Sequence, residues 1–175
     1  DSLFVPYRCT AADIETKNLA IFKSGNLGEC IRASIAFPFY ITPVLINGHL
    51  MFDGGLYNNF PADALLNDFF PDIIIGCNVT GGNDLKPDED SFISQLRAMV
   101  ANLTDYSVKC DNGILIEPNL NDVDIFDFDN IPYIVDVGYK ATLSKIWTIK
   151  ERVNRRVTPA ELAYKRNVFN KKQKT

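Results

Sequence analysis

The dipeptide Asn47-Gly48 constrains the fold of this chain more than any other feature. It joins two short apolar arms, residues 44–46 and 49–52. Asn-Gly between apolar runs specifies a two-residue hairpin, because a type I′ turn needs positive φ at both central residues. The second arm runs into Asp53-Gly54-Gly55. A carboxylate at the end of an apolar strand, followed by two glycines, sits where another backbone can approach closely. Such an aspartate can orient or deprotonate a neighbouring group. It can equally cap a turn, which is the plainer use of Asp-Gly.

Around the hairpin, strand-like and helix-like stretches alternate. Residues 3–12 read as a strand interrupted by Pro6, either short or beginning at Tyr7. Residues 19–22 form a second apolar run. Residues 26–36 have a helical period, with Leu27, Cys30, Ile31 and Ile35 on one face and Pro38 ending the helix. Pro61 suits the first turn of a helix to about Asp68. Residues 73–79 are continuously apolar, the pattern of a strand covered on both faces in a parallel sheet. Ser91 is a candidate cap for a helix to about Leu103, with Phe92, Leu96, Met99, Val100 and Leu103 as its buried stripe. Residues 113–117 read as another short strand. A long helix is expected over residues 133–154, with Val135, Tyr139, Leu143, Ile146, Trp147 and Val153 on its apolar side. Thr158-Pro159-Ala160-Glu161 is a capping box opening a last helix to about Phe169. The alternation predicts an α/β fold with a largely parallel sheet covered by helices. One domain is expected over residues 1–175: an α/β portion to about residue 130 that carries Asp-Gly-Gly, and C-terminal helices over 131–175.

Composition narrows the function classes. The apolar fraction of 46% is ordinary for a globular chain, and no apolar run is long enough for a transmembrane helix. No signal-peptide pattern is visible. Cys9, Cys30, Cys77 and Cys110 are widely spaced, without Cys-x-x-Cys or an adjacent histidine, so no metal site is expected. They read as buried thiols, which leans towards a reducing compartment and a cytoplasmic or peripheral-membrane location. Asp122, Asp124, Asp127 and Asp129 lack the glycine and terminal glutamate of a calcium loop, and their interleaved aromatics are expected to pack inward. The net charge of −4 hides an asymmetry: residues 1–139 hold 7 Lys and Arg against 20 Asp and Glu, whereas residues 140–175 hold 11 against 2. Such an asymmetry suits a surface partner for the tail and equally attraction between the acidic body and the basic tail; Lys165, Arg166, Lys171, Lys172 and Lys174 suit contact with an anionic membrane or a solvated helix end. No nucleic-acid partner is expected.

The order of motifs carries a resemblance. Ile31-Arg32-Ala33-Ser34-Ile35-Ala36-Phe37-Pro38 precedes the hairpin and Asp53-Gly54-Gly55. Asn58-Asn59-Phe60-Pro61-Ala62-Asp63 and Asp72-Ile73-Ile74-Ile75-Gly76-Cys77-Asn78-Val79 follow. Together with Tyr7-Arg8-Cys9-Thr10-Ala11-Ala12-Asp13, this order resembles the C-terminal half of the patatin-like phospholipase domain, in its bacterial form, over roughly residues 3–80. Phe39-Tyr40 stands where smaller residues are expected after Pro38.

The resemblance implies a serine acyl hydrolase of phospholipids or lysophospholipids, working without metal or cofactor. In such enzymes a serine in Gly-x-Ser-x-Gly is activated by the aspartate of Asp-Gly-Gly alone. That role falls on Asp53, with Gly54 and Gly55 as the motif glycines. Gly-x-Ser-x-Gly is absent from these 175 residues, and so is the family's glycine-rich oxyanion loop. The nucleophile is then expected upstream of Asp1, on a segment that packs against this chain, and the chain alone is expected to be inactive. A dyad also fits the single histidine, His49, which stands beside the hairpin turn where residues are usually solvated. Phe37, Phe39, Tyr40, Leu56 and Tyr57 are candidates for an acyl-binding surface, or for core. The alternative from another class is an inactive remnant that binds a lipid surface or a protein partner.

Overall fold

Strand β1 (Cys9–Asp13) is the centre of the fold, and all five of its residues are buried. The computed structural model describes residues 3–80, 87, 89–100, 103–120, 123, 127–153 and 156–172. On one side β1 pairs antiparallel with β2 (Asn18–Phe22). On the other it pairs with the second arm of the hairpin formed by β3 (Val44–Ile46) and β4 (His49–Asp53). The sheet order is β2-β1-β4-β3. The turn is as the sequence demands: Asn47 and Gly48 have φ of 53° and 87°. Ile46 faces His49 across it.

Small side chains explain why β1 is central. Ala11 and Ala12 have no exposed surface, and neither have Ala33 and Ala36. Helix α1 (Leu27–Ser34) therefore packs closely on the sheet, placing Ala33 against Ala11, Val44 and Met51. Asn26 caps α1, its side-chain oxygen accepting from the N–H groups of Gly28 and Glu29 at 3.0 and 3.2 Å. Cys30 and Ala33 turn inward, while Leu27, Ile31 and Ile35 lie exposed. The expected apolar face thus splits, since only the small residues fit against the alanines of β1.

Helix α2 (Ala62–Phe69) follows the loop of residues 54–61 and ends on Phe70 in the left-handed region. Asp68 near its end accepts from Arg8 Nε at 2.6 Å and from Lys23 Nζ at 2.5 Å. This ties α2 to the start of β1 and the end of β2. The Arg8 hydrogen bond, and then that of Lys23, hold the Asp68 carboxyl below its usual range.

Beyond α2 the α/β class holds, with differences in extent. Strand β5 (Ile75–Cys77) pairs parallel with β6 (Ile114–Ile116), in register Ile75 with Ile114. Parallel pairing, expected to dominate, is confined to this pair among the described residues. Strand β5 is shorter than the apolar run 73–79. Ile74 and Gly76 are covered, but Ile75, Cys77 and Val79 are exposed, so one face is open. Cys77 is accordingly not a buried thiol, whereas Cys9 and Cys30 are. Helix α3 (Phe92–Val100) begins after Ser91, whose hydroxyl accepts from Ser94 N–H at 3.2 Å. Of its expected buried stripe, Phe92, Met99 and Leu103 are exposed and Leu96 is half-buried.

The expected long helix is divided at Lys145 into α4 (Ile131–Ser144) and α5 (Ile146–Arg152). Val135, Tyr139, Leu143 and Trp147 of its apolar side are exposed. The capping box forms, with Thr158 Oγ1 accepting from Glu161 N–H at 3.2 Å, and opens α6 (Pro159–Lys172). Phe4 packs edge-on to Phe169, their centroids 5.5 Å apart. Of the acidic stretch, Phe128 is exposed rather than packed inward. Asp122, Asp124 and Lys174 lie outside the described residues. Among the described residues no helix is long and apolar enough to cross a membrane, and no cluster of His, Cys, Asp and Glu has the makings of a metal site.

Candidate functional site

Asp53 is the last residue of β4, directly across from Ala11 of β1. Its backbone N–H donates to the Ala36 carbonyl at 3.0 Å, so the turn after α1 is fastened to the end of the strand. Its side chain caps the 3-10 turn Gly54–Leu56, with Oδ1 accepting from Gly55 N–H at 2.8 Å. Tyr57 and Asn58 close the turn by donating to the Gly54 carbonyl at 3.0 and 2.9 Å. The carboxylate is partly exposed and has its orientation fixed by the backbone that follows it.

Neither motif glycine is needed for a left-handed φ; both are needed for room. A Cβ on Gly54 would collide with the Thr10 hydroxyl and lie 2.6 Å from the Thr10 carbonyl oxygen. A Cβ on Gly55 would lie 2.6 Å from Asn59 Oδ1 and 3.1 Å from Asp53 Oδ1. Gly54 therefore lets the site loop lie against β1. Gly55 keeps the capping N–H and the carboxylate together.

The candidate acyl-binding residues divide. Leu56 is buried and belongs to the core. Phe37 and Tyr40 have ring centroids 5.5 Å apart, and Phe39 and Tyr40 are exposed beside the Ala36 carbonyl that Asp53 binds. Phe39 has φ of 71°, an uncommon conformation for a bulky residue and one that turns the chain after Pro38. Tyr57 lines a cavity of about 280 Å³ with Asn58, Asp63, Leu66 and Lys109; Asp53 is not among its walls.

One polar group was missed in the sequence. Asp13, at the far end of β1, is buried and accepts from the Thr16 hydroxyl at 2.7 Å and from the N–H groups of Glu15 and Thr16 at 3.0 and 3.1 Å. His49 Nδ1 stands 3.1 Å from Asp13 Oδ2, within ion-pair distance but not aligned for a hydrogen bond. The Thr16 hydroxyl leads the interactions that hold Asp13 below its usual range, with the two N–H groups and His49 adding to it. Burial, and secondarily the charge of Asp13, push the Tyr57 hydroxyl up. His49 is thus half-exposed and engaged with Asp13 rather than simply solvated. The readable signal was Asp13-x-x-Thr16, an aspartate capping its own turn.

A carboxylate on a fixed turn at the rim of an α/β core can take a proton from a hydroxyl brought within hydrogen-bond reach, with no imidazole between them. Residues 8–66 match the family model described as patatin-like phospholipase. Similar curated proteins include the patatin-like phospholipase domain-containing protein ZK370.4 of Caenorhabditis elegans, 36% identical over 81 residues, or 45% of this chain and 6% of that protein. The human patatin-like phospholipase domain-containing protein 6 is 37% identical over 65 residues, 36% of this chain and 5% of that one. The Drosophila melanogaster neuropathy target esterase sws is 35% identical over 69 residues, 38% and 5%. The chain spans only 5–6% of the length of these relatives. Over residues 8–66 this chain is similar to the patatin-like phospholipase family. The expected bacterial form has no support from these animal proteins.

Proposed function

We propose that this chain is the aspartate-bearing portion of a serine ester hydrolase acting on phospholipids or lysophospholipids. Asp53 is its general base, and the nucleophilic serine and oxyanion donors come from polypeptide outside these 175 residues, packed against this portion. The observation that carries the reading is the capped carboxylate: Asp53 Oδ1 on Gly55 N–H at 2.8 Å, inside the stretch that matches the family. The relatives' names, phospholipase and esterase, support the substrate class.

The chemistry balances on one carboxylate. Asp53 accepts the serine proton as Oγ attacks the ester carbonyl. The tetrahedral intermediate then expels the alcohol, which leaves with that proton, and an acyl-serine remains. Water attacks the acyl-serine, giving its proton to Asp53. Collapse releases the fatty acid and returns the proton to serine. Burial of one face of the loop by β1 limits how far the carboxylate can swing, which keeps the donor and acceptor aligned.

Labelling with a fluorophosphonate, which phosphonylates activated serines, tests the reading on the full-length protein. Labelling of a serine in Gly-x-Ser-x-Gly, lost in Asp53→Asn, is the expected result. A full-length protein that contains no such serine and takes no label favours the binding-module alternative. Residues 1–175 alone should release no fatty acid.

A further inference from the structure

Helices α4, α5 and α6 hold no buried residue, although they span 14, 7 and 14 residues. Helices of this length depend on covering an apolar face. In α4, Ile131, Val135, Tyr139 and Leu143 recur every fourth residue and all are exposed, and Trp147 continues the spacing at 78% exposure. Beside this stripe the chain turns strongly basic. Residues 140–175 hold 11 Lys and Arg against 2 Glu, while residues 1–139 carry a balance of −13. Lys150 Nζ lies 5.2 Å from the centre of the Trp147 ring. Lys140 pairs with Asp136 and Lys165 with Glu161, each within its own helix, and the other lysines and arginines of the stretch outnumber its carboxylates.

Two occupants suit an exposed apolar stripe: another protein surface or a lipid interface. The charge decides between them. Protein–protein interfaces are depleted in lysine, whereas apolar and aromatic residues flanked by Lys and Arg are the composition of a helix lying in the head-group layer. We propose that α4 and α5 form a docking surface for an anionic phospholipid bilayer, with the basic charge of α6 adding to the attraction. Trp147 and Tyr139 sit at head-group level, Lys145 and Lys150 lie over anionic head groups, and Lys171 contributes through the overall positive charge of the C-terminal region. This rests on exposure and charge, and it holds whether or not Asp53 is catalytic.

The test is sedimentation of the full-length protein with vesicles of ether-linked phosphatidylcholine, with or without ether-linked phosphatidylserine, which no ester hydrolase consumes. The emission of Trp147 is isolated by difference against Trp147→Phe. Binding should require phosphatidylserine, weaken with salt, and shift the Trp147 emission to shorter wavelength. Each lysine contributes about fivefold to partitioning, so Lys145→Glu with Lys150→Glu and Lys171→Glu should lower it about a hundredfold or more. Binding without phosphatidylserine, undiminished binding of the triple variant, or an unchanged Trp147 emission on bound vesicles would each overturn the proposal. So would Trp147 emission that is already shifted in lipid-free protein, because another protein surface would then cover the stripe.

Discussion

Gly54→Ala probes whether the site loop is fixed by its contact with β1. The new methyl group would meet the Thr10 hydroxyl and sit 2.6 Å from the Thr10 carbonyl oxygen. The hydroxyl can rotate away. The carbonyl cannot, because Thr10 is in the middle of the central strand, paired with Ile21 of β2 and flanked by the Ala11–Asp53 pair of β4. The loop must therefore lift, loosening the cap on Asp53 and the packing of buried Leu56. Forcing extra volume into a packed site costs about 1–3 kcal/mol. In a domain of this size that is roughly 2–4 °C of Tm for each kcal/mol. Thermal and denaturant unfolding of the full-length protein measure the loss, and ester hydrolysis should fall with it. Gly55→Ala is the companion, since its methyl would crowd Asn59 and the Asp53 carboxylate rather than β1. It should cost activity more than stability. If Gly54→Ala melts with the wild type and hydrolyses ester at the wild-type rate, the close packing of loop on strand is wrong.

Two further outcomes follow from the packing around the site. Asp13 is held below the ordinary aspartate value of 3.8, so its stabilisation is present above that pH and is lost as pH falls through the lowered value. The stability advantage of wild type over Thr16→Val should therefore shrink as pH falls below 3.8, and a constant difference in denaturant midpoint would remove Thr16 as the cause. Asn26→Ala should cost about 1 kcal/mol by uncapping α1; unaltered unfolding free energy would show that the cap contributes nothing.

The features that the sequence made legible are those set by neighbours in the chain. Asn47-Gly48 needs only its own φ angles, Thr158 and Glu161 only their spacing, and Asp53 only the glycines beside it. Burial was less legible. A helical period says which residues share a face, not which face has something to cover it. In α1 the larger Leu27, Ile31 and Ile35 face outward because Ala11 leaves room only for Cys30 and Ala33. In α4 the residues on the stripe Val135, Tyr139 and Leu143 are exposed, while Ile134, Val137 and Ala141 are half-buried. Both faces are apolar enough to be read as core. The run 73–79 is partly open for the same reason, since β5 pairs with β6 alone among the described residues. The antiparallel centre was hard to foresee because strand patterns at residues 3–12 and 19–22 show that strands exist but not which neighbour each one pairs with or in which direction.

Steady-state hydrolysis of a lysophospholipid by the full-length protein carrying Asp53→Asn, beside the same change at Asp63, tests the role proposed for Asp53. The amide at position 53 keeps the shape of the carboxylate but cannot act as the proposed base, so kcat/KM should fall by roughly two to four orders of magnitude. Asp63 stands in the first turn of α2, where its Oδ1 accepts only from the Asn58 side chain at 3.3 Å among the bonds described, and Asp63→Asn should stay close to wild type. A folded Asp53→Asn protein that hydrolyses at the wild-type rate would contradict the account.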